Sequence, residues 1–268
     1  MPYRPVLSLA SGVMPEASPL QAVQAAATAG FDALGLWVEP GCWTAQTTRE
    51  VSQTLQDTGL RVLDVEVLWL RPGPGNDAHL HAIDVAAELG AANVLVVSSD
   101  PDMDATLEKF VRLCEHARPT SLRVALEFGA FTDVPSLEVA AAILHRASQP
   151  NQALLVDALH LQRSGGGAAD LARVPADWFS YAQMCDAPLR GPGPTDRAAI
   201  REEAVEYRLC PGDGQLPLAE LLDALPSGLP LSLEVRSLSL RSAHPDFAER
   251  ARVVLQRTRR WLERLGQE

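Results

Sequence analysis

AGFDALGL (29–36), TGLRVLDV (58–65) and LGAANVLV (89–96) are three versions of one event. Each is the end of a helical pattern, a glycine, and then an apolar run with strand character. Glycine suits the left-handed residue that closes a helix. Working outward, eight strand-like runs alternate with Ala- and Leu-rich helical spacing: VLSLAS (6–11), ALGLWV (33–38), RVLDVEVLWL (61–70), NVLVVSS (93–99), RVALEFG (123–129), ALLVDA (153–158), FSYAQMCD (179–186) and PLSLEV (230–235). Ser18-Pro19 sets a capping hydroxyl before a proline suited to a first helical turn. Asp100-Pro101 and His244-Pro245 share that outline. Eight such units predict an α/β fold: a single (β/α)8 TIM barrel over residues 1–268. The alternative, a doubly wound open sheet, should carry a glycine-rich phosphate loop after its first strand, and LASGVMPEAS (9–18) is not one. The helix after the sixth strand, RSGGGAADLARV (163–174), is short and glycine-rich. The last, PDFAERARVVLQRTRRWLERL (245–265), is long, amphipathic and suited to closing the barrel.

An apolar content of 47% supports a large core, and the formal net charge is -11. Such a surface repels phosphate backbones and anionic membranes, so neither nucleic acid nor membrane is an expected partner. No stretch approaches a membrane span. MPYRPVLSLASGV, at the start, has too short an apolar run for a signal peptide. A cytoplasmic protein is expected, acting on a small molecule, with a homo-oligomer left open. Cys42, Cys114, Cys185 and Cys210 form no C-x-x-C pair, so reduced thiols are expected. Lys109 is the only lysine and its helical context, EKFVRLCEHA (108–117), argues against Schiff-base chemistry.

Glu127, Asp157, Gln183 and Glu234 sit at or near the ends of four successive strand-like runs. Burying one such group without a partner costs a few kcal/mol. Four in a row suggest one shared partner, and a divalent cation is the simplest. All four bind through oxygen, which favours a hard ion, Mn²⁺ or Mg²⁺, over Co²⁺ or Zn²⁺.

The ordered set Glu, Asp-x-x-His, Gln-x-x-Asp, Pro-Gly-x-Gly, Glu between residues 123 and 236 resembles the xylose isomerase-like barrels, and within them the sugar phosphate isomerase/epimerase group. The resemblance implies that Glu127, Asp157, Gln183 and Glu234 are metal ligands, with Glu127 and Glu234 also catalytic. His160 matches the group's substrate-binding histidine. Asp186 matches the Asp three residues after the third ligand. Arg208 precedes PGDG (211–214) as an arginine commonly does there, and Arg190, in the expanded loop 187–207, is a second candidate for substrate contact. The third ligand is most often His in this group; Gln183 stands in its place.

Other residues are less specific. Glu66 could reach the site, but Asp64 faces the same way, so a structural salt bridge is an equal expectation. Trp37 and Trp69 end the second and third strands and read as pocket walls. His79, His81, His116 and His145 read as exposed helix residues. Cys185 has no evident base partner.

Ligand sets of this kind allow proton removal beside a carbonyl to give an enediolate. The leading expectation is therefore a divalent-metal-dependent isomerase or epimerase of a small polyhydroxylated carbonyl compound, such as a ketose or inosose. The alternative is a metal-dependent dehydratase, a lyase acting on a cyclic hydroxyketone such as an inosose or 3-dehydroshikimate. More remote are an abasic-site endonuclease, which needs several histidines where only His160 is well placed, and a non-catalytic binding barrel.

Overall fold

The computed structural model describes residues 5–266. All eight expected strands form: β1 (Leu7–Leu9), β2 (Ala33–Trp37), β3 (Arg61–Leu70), β4 (Asn93–Ser98), β5 (Arg123–Glu127), β6 (Gln152–Asp157), β7 (Phe179–Met184) and β8 (Leu231–Leu233). They follow one another round a closed barrel, and β8 pairs in parallel with β1 through Leu7–Leu231, Ser8–Ser232 and Leu9–Leu233. Helices α1 (Pro19–Ala29), α2 (Ala45–Thr58), α3 (Asp77–Glu88), α4 (Met103–Ala117), α5 (Leu137–Ala147), α6 (Ala158–Arg163), α7 (Arg197–Glu206), α8 (Leu218–Ala224), α9 (Leu238–Ala243) and α10 (Phe247–Leu265) connect or follow the strands. The chain is thus a TIM barrel. As expected, the helix after β6 is short and gives way to a 3-10 turn at Ala168–Arg173, whereas α10 is long and packs on α1.

The alternation of strand side chains builds two apolar layers. Leu34, Val124, Leu154 and Leu233 belong to the large core that also holds helix residues such as Val23, Phe110 and Val254. Ala33, Leu63, Leu95, Ala125, Leu155 and Tyr181 form a second, smaller cluster. Two residues on from Ala125, Leu155, Tyr181 and Ser232, and so on the same side of each strand, come Glu127, Asp157, Gln183 and Glu234. Apolar packing thus ends and oxygen chemistry begins at one level of the barrel.

Several helix boundaries follow from local chemistry. Ser18 accepts the Gln21 N–H, and the Gln21 side chain accepts the Ser18 N–H in return. Gly30, Gly59 and Gly90 have φ of +88°, +69° and +69°, the left-handed conformation that their place between helix and strand requires. Two expected starts are displaced. The caps of α4 and α10 are Asp102 and Asp246, each two residues beyond Asp100 and His244. Asp100 is engaged by Lys109 at 2.6 Å, and His244 by Glu249 at 2.9 Å. No helix is long and apolar enough to cross a membrane among the described residues, and the four cysteines are unpaired.

Replacing Ser18 by Ala removes one half of the α1 capping box. Unfolding stability should fall by about 1 kcal/mol, read as a lower denaturant midpoint with unchanged slope.

Candidate active site

The ends of β5, β6, β7 and β8 each deliver one polar group to a shared mouth. Glu127, Asp157 and Glu234 are buried and offer carboxylate oxygens that all lie within 4.8 Å of one another. Asp157 and Gln183 are direct partners across β6 and β7, and Gln183 pairs in register with Ser232. The Gln183 amide lies between the two glutamates. With its nitrogen turned to them it donates to Glu127 Oε1 at 2.7 Å and Glu234 Oε2 at 3.2 Å. Turned the other way, it aims an oxygen at the same two groups, which calls for a protonated glutamate or a cation between them. Three buried carboxylates and one amide that can face them fit a hard divalent ion. These are the four residues expected from the sequence to meet.

Arg208 reaches the same point. Its Nη1 donates to Asp157 Oδ2 at 2.6 Å, its Nη2 lies 3.1 Å from Glu234 Oε2, and its Nε is held by the Ala204 carbonyl at 2.6 Å. The other Asp157 oxygen caps α6 by accepting the His160 N–H at 2.9 Å. Arg208 Nη2 also lies 3.3 Å from His160 Nε2. A guanidinium only donates, so Nε2 accepts and the His160 proton sits on Nδ1. That Nδ1 is buried without a hydrogen-bond partner among the described residues. Phe131 packs edge-on against the imidazole with ring centroids 5.4 Å apart, and a side chain at Gly129 would come within 3.5 Å of Nδ1.

Burial governs the electrostatics. It pushes Glu127 well above the usual carboxylate range, with the nearby Glu234 charge adding to the effect. Glu234 is pushed up to about 7, again chiefly by burial, and Arg208 opposes the rise. Burial also acts on Asp157, but Arg208 and His160 outweigh it and hold this carboxyl below its ordinary value. Burial pushes His160 down to about 4, so the ring is neutral at pH 7. Cys185 Sγ lies 3.2 Å from Arg208 Nη1, yet burial raises its thiol far above neutrality. A nucleophilic role has no support, as expected.

Two expectations are corrected, those for Asp186 and Glu66. Asp186 does not face substrate: its Oδ1 accepts the N–H of Ala187 and Leu216, and its Oδ2 those of Gly212 and Gly214, all at 2.8–3.0 Å. It is the internal clamp of the PGDG loop. Arg190 is exposed on the loop after β7, whereas buried Arg163 ties that loop down through the Pro188 and Leu189 carbonyls and Glu203. Glu66 forms no salt bridge with a basic residue among the described residues; its Oε1 accepts the Ser11 N–H at 2.9 Å, while Tyr181 donates to its neighbour Asp64 at 3.2 Å. Both acids fit because residue 35 is glycine: a Cβ there would lie 2.8 Å from Asp64 Oδ1 and 3.0 Å from Glu66 Oε1.

The tryptophans do form walls. Trp69 is half-buried, 6.5 Å from Phe131 between ring centroids, with its Nε1 donating to Ser99 Oγ at 2.9 Å. Trp37 is 42% exposed at the rim and donates to Glu39 at 3.2 Å. His79 is half-buried and lines a cavity with them, contrary to its expected exposure. His116 pairs with Asp84 at 2.7 Å, and His145 packs on Trp178. Lys109 is spent on Asp100 and the Arg71 carbonyl, both at 2.6 Å. Gly12, Gly35, Phe131 and Arg236 also shape the site and were not singled out in the sequence. For Arg236 a signal existed, because it follows Glu234 by two residues.

Two outcomes follow. Asp186→Ala orphans four backbone donors and should lower stability by roughly 3 kcal/mol, measured by chemical denaturation. The second concerns pH. Glu127 and Glu234 have folded-state pKa values above their unfolded ones, so the stability they contribute is lost as pH rises through the folded values. His160 acts in the opposite sense, but only up to its ordinary value of 6.5. Between about pH 6.5 and pH 8 the chelator-treated protein should therefore melt at a falling temperature. Added Mn²⁺ should stabilise more at the higher pH, because ligating carboxylates must be deprotonated. A metal-free melting temperature that rises over this window contradicts the assignment.

A family model described as xylose isomerase-like TIM barrel matches residues 23–265. Curated relatives include a 3-dehydroshikimate dehydratase of Pseudomonas aeruginosa, 30% identical over 251 residues, and one of Pseudomonas putida, 26% identical over 249 residues. Each alignment covers 87% of this chain and 38% of the relative, so the chain spans well under half the length of these proteins. Among solved structures, a xylose isomerase-like TIM barrel/4-hydroxyphenylpyruvate dioxygenase fusion protein superposes with a TM-score of 0.79 at 23% identity, over 98% of this chain and 44% of the other. The IOLI protein with a bound zinc atom superposes with a TM-score of 0.76 at 17% identity, over 97% of both chains. Together with the closed barrel and the acidic mouth, the match across nearly the whole chain shows that this protein belongs to the xylose isomerase-like TIM barrel family.

Proposed function

We propose that the chain is a divalent-cation-dependent lyase that dehydrates a small cyclic hydroxyketone of the 3-dehydroshikimate type. The observation that carries this reading is the convergence of Glu127, Asp157, Gln183 and Glu234 in a chain 30% identical to a 3-dehydroshikimate dehydratase. It reverses the order of the two expectations drawn from the sequence, because those relatives are lyases. Glu127, Asp157, Gln183 and Glu234 would hold the ion, which when bound supplies Lewis-acid polarisation of a carbonyl and the neighbouring hydroxyl.

The residues divide the remaining work. Glu234, able to ionise near neutrality, takes the proton from the carbon beside the carbonyl. The electron pair of that C–H bond forms a C=C bond as the C–O bond to the β-hydroxyl breaks. The hydroxyl leaves as water with the proton that Glu234 took. On 3-dehydroshikimate the dienone so formed tautomerises to a dihydroxybenzoate, and aromaticity drives the step forward. His160, neutral and with an unpartnered Nδ1–H, donates to a substrate oxygen. Arg208 keeps Asp157 ionised and holds Glu234 within its reach.

Epimerisation shares the first proton transfer and differs only in its return. The placement of the Gln183 amide between two carboxylates favours it as a second reading, with Glu127 returning a proton from the other side.

With Mn²⁺ bound, 3-dehydroshikimate should lose water and develop the absorbance of an aromatic product. Glu234→Gln keeps one ligating oxygen but no base. It should retain Mn²⁺, seen by calorimetry, while turnover falls about 10²–10⁴-fold. A fully Mn²⁺-loaded protein that forms no aromatic product refutes the lyase reading. Deuterium uptake by a ketose in D₂O, without loss of water, would put the epimerase reading first.

A further inference from the structure

Among the described residues, the fully buried arginines each pair with an acid. Arg163 pairs with Glu203 at 2.7 Å, Arg208 with Asp157 at 2.6 Å, and Arg250 with Glu16 at 2.6 Å. Arg236 is partly buried and its charge acts on Glu234, while its Nε is enclosed without a hydrogen-bond partner among the described residues. An enclosed guanidinium N–H that bonds to nothing loses its hydration without return.

The surroundings of Arg236 bear on its role. It follows Glu234 by two residues, and its stem lies over Gly12: a Cβ at residue 12 would sit 2.8 Å from Arg236 Cγ and 3.2 Å from Glu234 Oε1. The glycine thus lets the arginine pass beside the acidic mouth. Beyond it, Arg236 lines a cavity of about 450 Å³ together with Trp37, Val67, Trp69, Arg71 and His79. That volume suits a molecule with a single ring. Arg71 stacks its guanidinium on Trp69, 4.5 Å from the ring centre, and its carbonyl is held by Lys109. Glu39 also lines the cavity, but it accepts the Trp37 indole N–H at the exposed rim. Burial pushes His79 below its ordinary value, so it adds no charge at neutrality. Two guanidinium groups and aromatic walls therefore border one cavity next to the acidic mouth.

We propose that Arg236, assisted by Arg71, binds the carboxylate of the substrate, so that the site accepts a cyclic carboxylate and discriminates against neutral polyols and ketoses. A guanidinium matches a carboxylate bidentately, and Arg236 and Arg71 both border the cavity. The carboxylate would anchor one end of the ring between the tryptophans while the carbonyl end faces Glu127 and Glu234. The identity of the ring rests on the proposed lyase reading; recognition of its carboxylate does not.

The test measures binding, so that it stands apart from turnover. Mn²⁺-loaded protein is titrated with 3,4-dihydroxybenzoate and with catechol, which carry the same two hydroxyls and differ by the carboxylate. Wild type should bind the acid at least about tenfold more tightly, the effect of one charge-assisted hydrogen bond. Arg236→Gln should erase that preference. Arg236→Lys should restore part of it, since a point charge lacks the fork. Arg71→Gln should weaken the preference by a smaller factor. If Arg236→Gln weakens both ligands equally, Arg236 only offsets the Glu234 charge and the proposal is overturned. It is also overturned if the preference survives the substitution, or if wild type binds neither ligand. Arg236-dependent preference in a protein that does not dehydrate 3-dehydroshikimate would sink the lyase reading alone. Dehydration with an unchanged Michaelis constant in Arg236→Gln would sink this one alone.

Discussion

Three carboxylates share one buried mouth, and the upper half of the barrel is arranged around the resulting repulsion. Glu127, Asp157 and Glu234 lie within 4.8 Å of one another. Taking such groups from water is tolerable only with paired positive charge. Arg208 supplies part of it, touching Asp157 and Glu234 together. The remaining excess is expressed as protonation of Glu127 and Glu234, or is offset by a cation when one binds. The Gln183 amide can serve both situations, since one flip turns a donor into a ligand.

Arg208 can do this only because its own backbone is held on both sides. Asp186 and Leu209 exchange hydrogen bonds at 2.8 Å, and the Arg208 N–H donates to the Arg236 carbonyl at 2.9 Å. The segment after α7 is thereby locked between the ends of β7 and β8. Asp186 then folds the PGDG loop around its carboxylate. A residue placed by family pattern among the substrate contacts thus acts one step removed, through the arginine whose segment it fixes.

The mouth has two sides with different chemistry. The acids, His160 and Arg208 come from the second half of the barrel. The cavity wall with Trp37, Trp69 and Arg71 comes from the ends of β2 and β3, and Arg236 spans the gap where β8 meets β1. The acidic mouth and the aromatic wall are thus built from different strands.

Much of this was written locally in the chain. The glycines at 30, 59 and 90, the eight apolar runs and the period of two within each run determined the barrel, because helix ends and strand faces depend on neighbours a few residues away. The same period put Glu127, Asp157, Gln183 and Glu234 at equivalent heights, so their convergence was legible too. The roles of Asp186, Arg190 and Arg236 were not. Asp186 found its four donors up to 30 residues away, Arg190 lies exposed on a loop that Arg163 pins, and Arg236 met Gly12 across the closure of the barrel. Only the tertiary structure decided these, because a polar side chain takes its role from the groups that closure brings within hydrogen-bond reach, and those lie far off in sequence.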